Sequence, residues 1–436
     1  MKEEEIMKKS LSLVLLVSMI CALFAPIALG AGKTIVFWHY LTDRHELMQD
    51  FAREYEKKSG VKVDVQLFPG DQEVEQKIEA AIQAGTAPDI YVSNGSADPA
   101  KINAKARWIK AGGMYNLDKD VSKAERGNYI PSLLANISFT EGNHYGAAPG
   151  LYGLPLDSNN MQILYNKDLF KKAGLDPNNP PQTWSEFISA GKQLKAKGIT
   201  PFAAGFGTWL GISLWEVYAW NIMGEAGMLA AQNEGKMFTD PDWVKTFQVF
   251  ADMRDAGMYA DGMATWDNPD AERLFAMGRA AMMYNGSWTF GVLKNTNPDL
   301  IPSVGAMLPP SAGKYPVYVQ GGYGAVLCVN ADSKYRKETV DFLKWITAPE
   351  QQGKYAMESF NLPASSEVTK KVKLEGGIGE FADDTGRIIP NVGLVGRPGE
   401  VDTTIIRGIQ SIMLGQKTPA AVVKEINEVW KNALLK

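Results

Sequence analysis

The residues best suited to chemistry in this chain are aromatic rings set beside short polar side chains. Eleven tryptophans, sixteen tyrosines and seventeen phenylalanines occur in 436 residues. The stretch GRAAMMYNGSWTF (278–290) shows the pattern. Ala280 to Tyr284 reads as a buried strand, and Asn285-Gly286-Ser287 breaks it with turn chemistry. Trp288 follows directly. Two readings of that indole stand: it folds back onto the core, as most tryptophans do, or it offers a flat face to a ligand. Flat rings flanked by a few directional hydrogen-bonding groups suit a pyranose, which has apolar C–H faces and a hydroxyl rim.

Other chemistries find less support. The chain has no G-x-S-x-G elbow, no H-E-x-x-H and no C-x-x-C. GFGTWLG (205–211) has one residue too many for a dinucleotide fingerprint, and no phosphate-loop lysine follows a Gly-rich stretch. His39, His45 and His144 are the only histidines, and the six-residue spacing of the first two is not a metal pattern. No metal or cofactor is expected. A glycosidase needs only two carboxylates at the right separation, so that alternative stays open beside a binding-only protein.

Elements must carry these groups to one place. KTIVFWHY (33–40) reads as a strand. The next segment places Leu47, Phe51 and Tyr55 on one helix face, with Gly60 as its C-terminal cap. VKVDVQLF is a second strand. Asp71 is the candidate N-cap of a second helix, which Gly85 ends, and PDIYVSN is a third strand. This βαβαβ order predicts an α/β protein with a largely parallel first sheet. Ligands of such sheets bind beyond the strands' carboxyl ends, which singles out His39 to Asp43 and Ser93 to Asp98. Asp43 has the alternative of capping the first helix. Further helices are expected at 181–198, 241–257 and 418–436, and GGYGAVLCVN reads as a strand before a helix pair.

The length suggests two domains. A net charge of −4 with no basic run gives nucleic acid nothing to bind. Lys8 and Lys9 precede the apolar run Leu11 to Phe24, and Ala28 and Gly30 supply small residues for cleavage, so 1–30 reads as a signal peptide. A retained anchor is the alternative, since the run is just long enough to span. Ser18-Met19-Ile20 lacks the small residue expected before a lipidated Cys21. Cleavage leaves Cys328 as the single cysteine, so the mature protein has no intrachain disulfide. A secreted protein, periplasmic or at the cell surface, is expected.

GLPLDSNNMQILYNKDLFKKAGLDP (153–177) resembles the signature of family 1 extracellular solute-binding proteins, the sugar-capturing subunits of bacterial ABC importers, related to maltose-binding proteins. Gln162 departs from it, standing where a small residue is usual. PDIYVSN, NGSW and GGYGAVLCVN follow in family order. The resemblance implies a two-lobed periplasmic-binding-protein fold of type II, with mixed sheets flanked by helices and a hinge. It implies an N-terminal lobe of 31–158 and 315–360, a C-terminal lobe of 159–314 and 361–436, and crossings near Asp157–Asn160, Leu308–Lys314 and Ser359–Pro363. Carried over residue by residue, the ligand-binding set is Trp38, His39, Asp43, Ser93, Asn94, Trp209, Trp288, Tyr323 and Arg397. The implied function is high-affinity binding of an oligosaccharide by a monomer and its delivery to membrane permease subunits. A polyol phosphate or polyamine ligand is the alternative within binding.

Overall fold

The computed structural model describes residues 32–434 apart from 69, 96–98, 144, 234–239, 323, 372–375, 384–386 and 390–398. Nine strands form its two larger sheets. They are β1 (Thr34–His39), β2 (Lys62–Leu67), β3 (Ile90–Asn94), β4 (Leu154–Pro155), β5 (Met161–Asn166), β6 (Thr200–Ala203), β7 (Ala280–Gly286), β8 (Val304–Met307) and β9 (Ala325–Val329).

The first sheet has the order β2-β1-β3-β9-β4. β1 lies parallel to β2 and β3, whereas β9 runs antiparallel to β3 and β4. β1 alternates buried Ile35, Phe37 and His39 with half-buried neighbours, the period of a strand packed on one face. Helix α1 (His45–Ser59) buries Leu47, Phe51 and Tyr55 and ends at Gly60, whose φ of 72° suits a left-handed cap. Helix α2 (Asp71–Ala84) ends likewise at Gly85. Its N-cap is Gly70 with φ 101°, so Asp71 is the first helical residue and not the cap. Phe37, Phe51, Tyr55, Tyr91 and Trp108 centre this lobe's core. Cys328 on β9 is wholly buried and burial pushes its thiol up to about 12, so it is a packing residue.

The second sheet has the order β8-β5-β7-β6. β5 lies antiparallel to β7 and β8, and β7 parallel to β6. Its core gathers Trp215, Trp220, Trp243 and Phe247 with Ile405, Ile409, Val422 and Ile426 from the last two helices. The C-terminal segment therefore returns to the second lobe. Helix α3 (Trp209–Asn233) carries two of these tryptophans and kinks at Gly224. Helix α4 (Asn268–Ala276) precedes β7, and helix α5 (Thr289–Thr296) follows it.

Where the chain changes lobes, its segments lie side by side. Leu362 and Pro363 pair with Ser158 and Asp157. The Met161 N–H donates to the Gln320 carbonyl at 2.8 Å and the Gly322 N–H to Asn159 at 2.9 Å. The stretch Leu308–Lys314 instead packs on α3, where Asn221 Oδ1 accepts the N–H groups of Ala312 at 2.8 Å and Gly313 at 2.6 Å. The segment running beside Asn159–Met161 is 320–322, joined to it through an isolated bridge between Asn160 and Gly321.

Candidate functional site

The carboxyl end of β7 is built around one carboxylate. Glu272 on α4 points an oxygen, Oε1, at three donors: Asn268 Nδ2 at 2.9 Å, Asn285 Nδ2 at 2.9 Å and the Trp288 indole Nε1 at 3.1 Å. Asn285 and Gly286 belong to the strand, so the turn begins at Ser287, two residues later than the sequence suggested. Gly286 is required there: a Cβ would meet the Trp288 ring at 1.9 Å. The indole therefore lies over Gly286, half-buried, and the first residue of its turn is tied down by the Ser287 N–H donating to Asn160 O at 3.0 Å. Trp288 is neither sealed in the core nor free. Trp209, at the start of α3, stands 6.2 Å from it between ring centroids, tilted by 46°. Trp209 is 44% exposed. The two indoles make an open aromatic corner.

The turn after β1 faces this corner from the other lobe. Thr42–Arg44 forms a 3-10 turn, Arg44 precedes α1, and no side chain caps the helix. Asp43 therefore does not cap; its Oδ1 accepts from Arg44 Nε at 3.0 Å. Asn295 Nδ2 on α5 reaches the Asp43 carbonyl at 3.4 Å, and Lys294 donates to the Glu358 carbonyl. A Cβ on Gly291 would lie 2.9 Å from both Asp43 Oδ2 and the Ser359 carbonyl, so the lobes touch closely here. Arg44 also donates to Asp157, and to Tyr355 Oη at 2.6 Å, while Asp157 Oδ1 accepts the Ala325 N–H at 2.6 Å. This buried knot ties the turn to the interlobe segments.

Several buried oxygens have no hydrogen-bond partner among the described residues: Asp43 Oδ2, Asn268 Oδ1, Asn285 Oδ1, Ser287 Oγ and Ser93 Oγ. Such acceptors are costly in an apolar setting, and a ligand hydroxyl would satisfy them. Burial holds the Glu272 carboxyl above the usual carboxylate range, and the Asp43 charge across the cleft adds to the shift.

The other sequence-derived residues are placed differently. His39 is wholly buried: its Nε2 meets His45 Nδ1 at 3.0 Å and its Nδ1 accepts the Leu41 N–H at 3.2 Å. Burial lowers its pKa to about 3, with the charges of His45 and Arg44 adding to the effect. It has no surface to offer a ligand. Trp38 is half-buried, donates to Gln66 Oε1 at 3.0 Å and meets Phe68 edge-on at 5.0 Å. The Lys77 ammonium lies 3.6 Å from the Phe68 ring centroid and 5.2 Å from that of Trp38. Ser93 is buried at the end of β3, and the Asn94 N–H reaches Glu75 Oε1 at 3.4 Å. Tyr323, Arg397 and His144 lie outside the described residues. Glu272, Asn268, Phe68 and Lys77 were missed by the sequence reasoning. A polar helix face and a loop phenylalanine carry no local signal of a site. Among the described residues no group of three or more His, Cys, Asp or Glu could hold a metal ion. A surface hollow of about 430 Å³ lies elsewhere, beside Phe170, Asp176 and Glu186, and shares no residue with this corner.

Two α/β lobes thus meet at rings and at buried acceptors that have no partner among the described residues. The chain matches the model of the bacterial extracellular solute-binding protein family over residues 50–379 and belongs to that family. It is 28% identical over 415 residues to the sn-glycerol-3-phosphate-binding periplasmic protein of Brucella suis, spanning 91% of this chain and 89% of the relative. It is 28% identical over 319 residues to the multiple sugar-binding protein of Streptococcus mutans, spanning 71% and 69%. In fold it is similar to the maltotriose-binding protein of Thermus thermophilus, with a TM-score of 0.71 at 20% identity over 92% of this chain and 100% of that one.

Proposed function

We propose that this protein captures a neutral, hydroxyl-rich carbohydrate between its lobes and delivers it to the permease of an ABC importer. The observation that carries this reading is the corner of Trp209 and Trp288, 6.2 Å apart, one of them well exposed. Beside it stand buried acceptors at Asp43, Asn268, Asn285 and Ser287 with no partner among the described residues. Rings supply area against sugar faces, and acceptors take hydroxyl protons. The protein acts by binding alone, as a monomer, with the leader removed after Gly30 and the mature chain in the periplasm or at the cell surface. Calorimetric titration with maltotriose, raffinose and xylo-oligosaccharides tests the ligand class. Saturable heat with at least one of them is expected, and no heat with any neutral sugar overturns it.

A second reading, an anionic polyol, is favoured by the sn-glycerol-3-phosphate-binding relatives and by Lys77 lying against Phe68 and Trp38. Against it stand the acids at the corner. Glu272 and Asp43 both oppose a phosphate, and the Arg44 guanidinium is engaged by Asp43, Asp157 and Tyr355. Titration with sn-glycerol 3-phosphate separates the two. Tight binding that Lys77→Gln abolishes establishes the anionic ligand.

A further inference from the structure

The Glu272 carboxylate lies behind the aromatic corner. One oxygen of Glu272 receives the amides of Asn268 and Asn285 and the indole N–H of Trp288. Each donor comes from a different place: the start of α4, the end of β7, and the turn into α5. An indole has a single N–H. Two torsions orient its ring, and fixing that N–H on Glu272 while the ring lies against Gly286 leaves the plane no other setting. A half-buried anion held by three donors is also a charge-assisted cluster, stronger than the same contacts to a neutral group.

We propose that Glu272 is the positioning residue of the binding site: its carboxylate sets the plane of Trp288 and fastens the NGSW turn to α4, so that the platform is formed before ligand arrives. This rests on the carbohydrate reading for what the platform receives, though not for its geometry. Preorganisation of this kind lowers the entropy lost on binding. It also accounts for an acid at that position, because an apolar residue would strand three partly buried N–H donors.

Among the described residues the ionisable groups around Glu272 are few. Asp43 bears on it from the opposite lobe. Of the elements packed on α4, β7 offers Tyr284, bonded to Ser213 Oγ at 2.9 Å, and α5 offers Lys294, which is turned to the Glu358 carbonyl. β6 has no ionisable side chain. On α4 itself Asp270 and Arg273 pair with each other at 2.5 Å. Protonation of Glu272 weakens all three bonds at once, and its burial sets that event above the usual carboxylate range.

The test uses the full mature chain labelled with 5-fluorotryptophan and no sugar. Trp288→Phe assigns the Trp288 fluorine resonance. In the wild type this resonance shifts in a single step as pH falls, with a midpoint above that of an exposed glutamate. In Glu272→Gln, which keeps the size and one acceptor oxygen, the step vanishes while the other tryptophan resonances stay in place. In Glu272→Ala the resonance broadens as the ring loses its anchor. A Trp288 resonance indifferent to pH in the wild type, or a step that survives in Glu272→Gln, overturns the proposal. Because no ligand is present, that failure leaves the carbohydrate reading standing, and a failure of every sugar to bind leaves this result standing.

Discussion

Truncating Trp288 to alanine removes a ring that lies on Gly286, donates to Glu272 and adjoins Trp209. Stacking on a sugar hides roughly 100 Å² of apolar surface, worth about 2.5 kcal/mol at ~25 cal/mol per Å². Trp288→Ala is therefore expected to weaken oligosaccharide binding about ten- to a hundredfold by calorimetry. Because the ring is half-buried and bonded, stability also falls, by about 1–2 kcal/mol, less than a core tryptophan would cost. His39 makes a separate prediction. Its folded pKa of about 3 lies below the unfolded value of 6.5, so between those values the unfolded chain binds the extra proton. Stability is then full above pH 6.5 and falls as pH drops toward 3. Urea unfolding across that range should show the slope reduced in His39→Asn. At this scale the turn tryptophan was legible in the sequence, because NGSW breaks an apolar run. Glu272 was not, because hydrogen bonds to residues thirteen and sixteen positions away leave no spacing signature.

At the scale of elements, helix α5 meets the turn Thr42–Arg44 closely. Gly291 lies at that point, within 2.9 Å of Asp43 Oδ2 and the Ser359 carbonyl measured from a built Cβ. The Ser359 carbonyl is backbone and cannot swing aside as a side chain can, so a larger side chain there drives the lobes apart. Gly291→Val is expected to increase the radius of gyration of the ligand-free protein in small-angle scattering and to weaken sugar binding, with melting temperature little changed. An unchanged radius would place the strain within one lobe. The βαβαβ order and the glycine caps were readable, since they follow from periodicity and from positive φ at Gly60 and Gly85. The N-caps were not. Asp43 and Asp71 have the right side chains for capping, but a 3-10 turn precedes α1 and Gly70 takes the cap of α2. Backbone geometry set by tertiary contacts decided both.

For the whole molecule, capture of this kind requires a ligand that bridges lobes closing around it. A ligand shifts that equilibrium only if it touches both lobes better when they are closed. Asp43 would contact it from one lobe and Trp209 and Trp288 from the other, while the Arg44–Asp157–Tyr355 knot carries the turn with the interlobe strands. The two-lobed plan was legible from the signature at 153–177. The anchoring of the 311–315 stretch on Asn221 was not legible, because it is a contact between distant residues. The measurement that bears most directly on the central claim is a thermal-shift comparison of wild type and Trp288→Ala against maltotriose, raffinose, xylo-oligosaccharides and sn-glycerol 3-phosphate. Native-state binding raises the melting temperature by mass action. The account predicts that at least one neutral oligosaccharide stabilises the wild type, that Trp288→Ala loses most of that shift, and that sn-glycerol 3-phosphate gives none. Stabilisation by sn-glycerol 3-phosphate alone, or an oligosaccharide shift that Trp288→Ala retains in full, would contradict it.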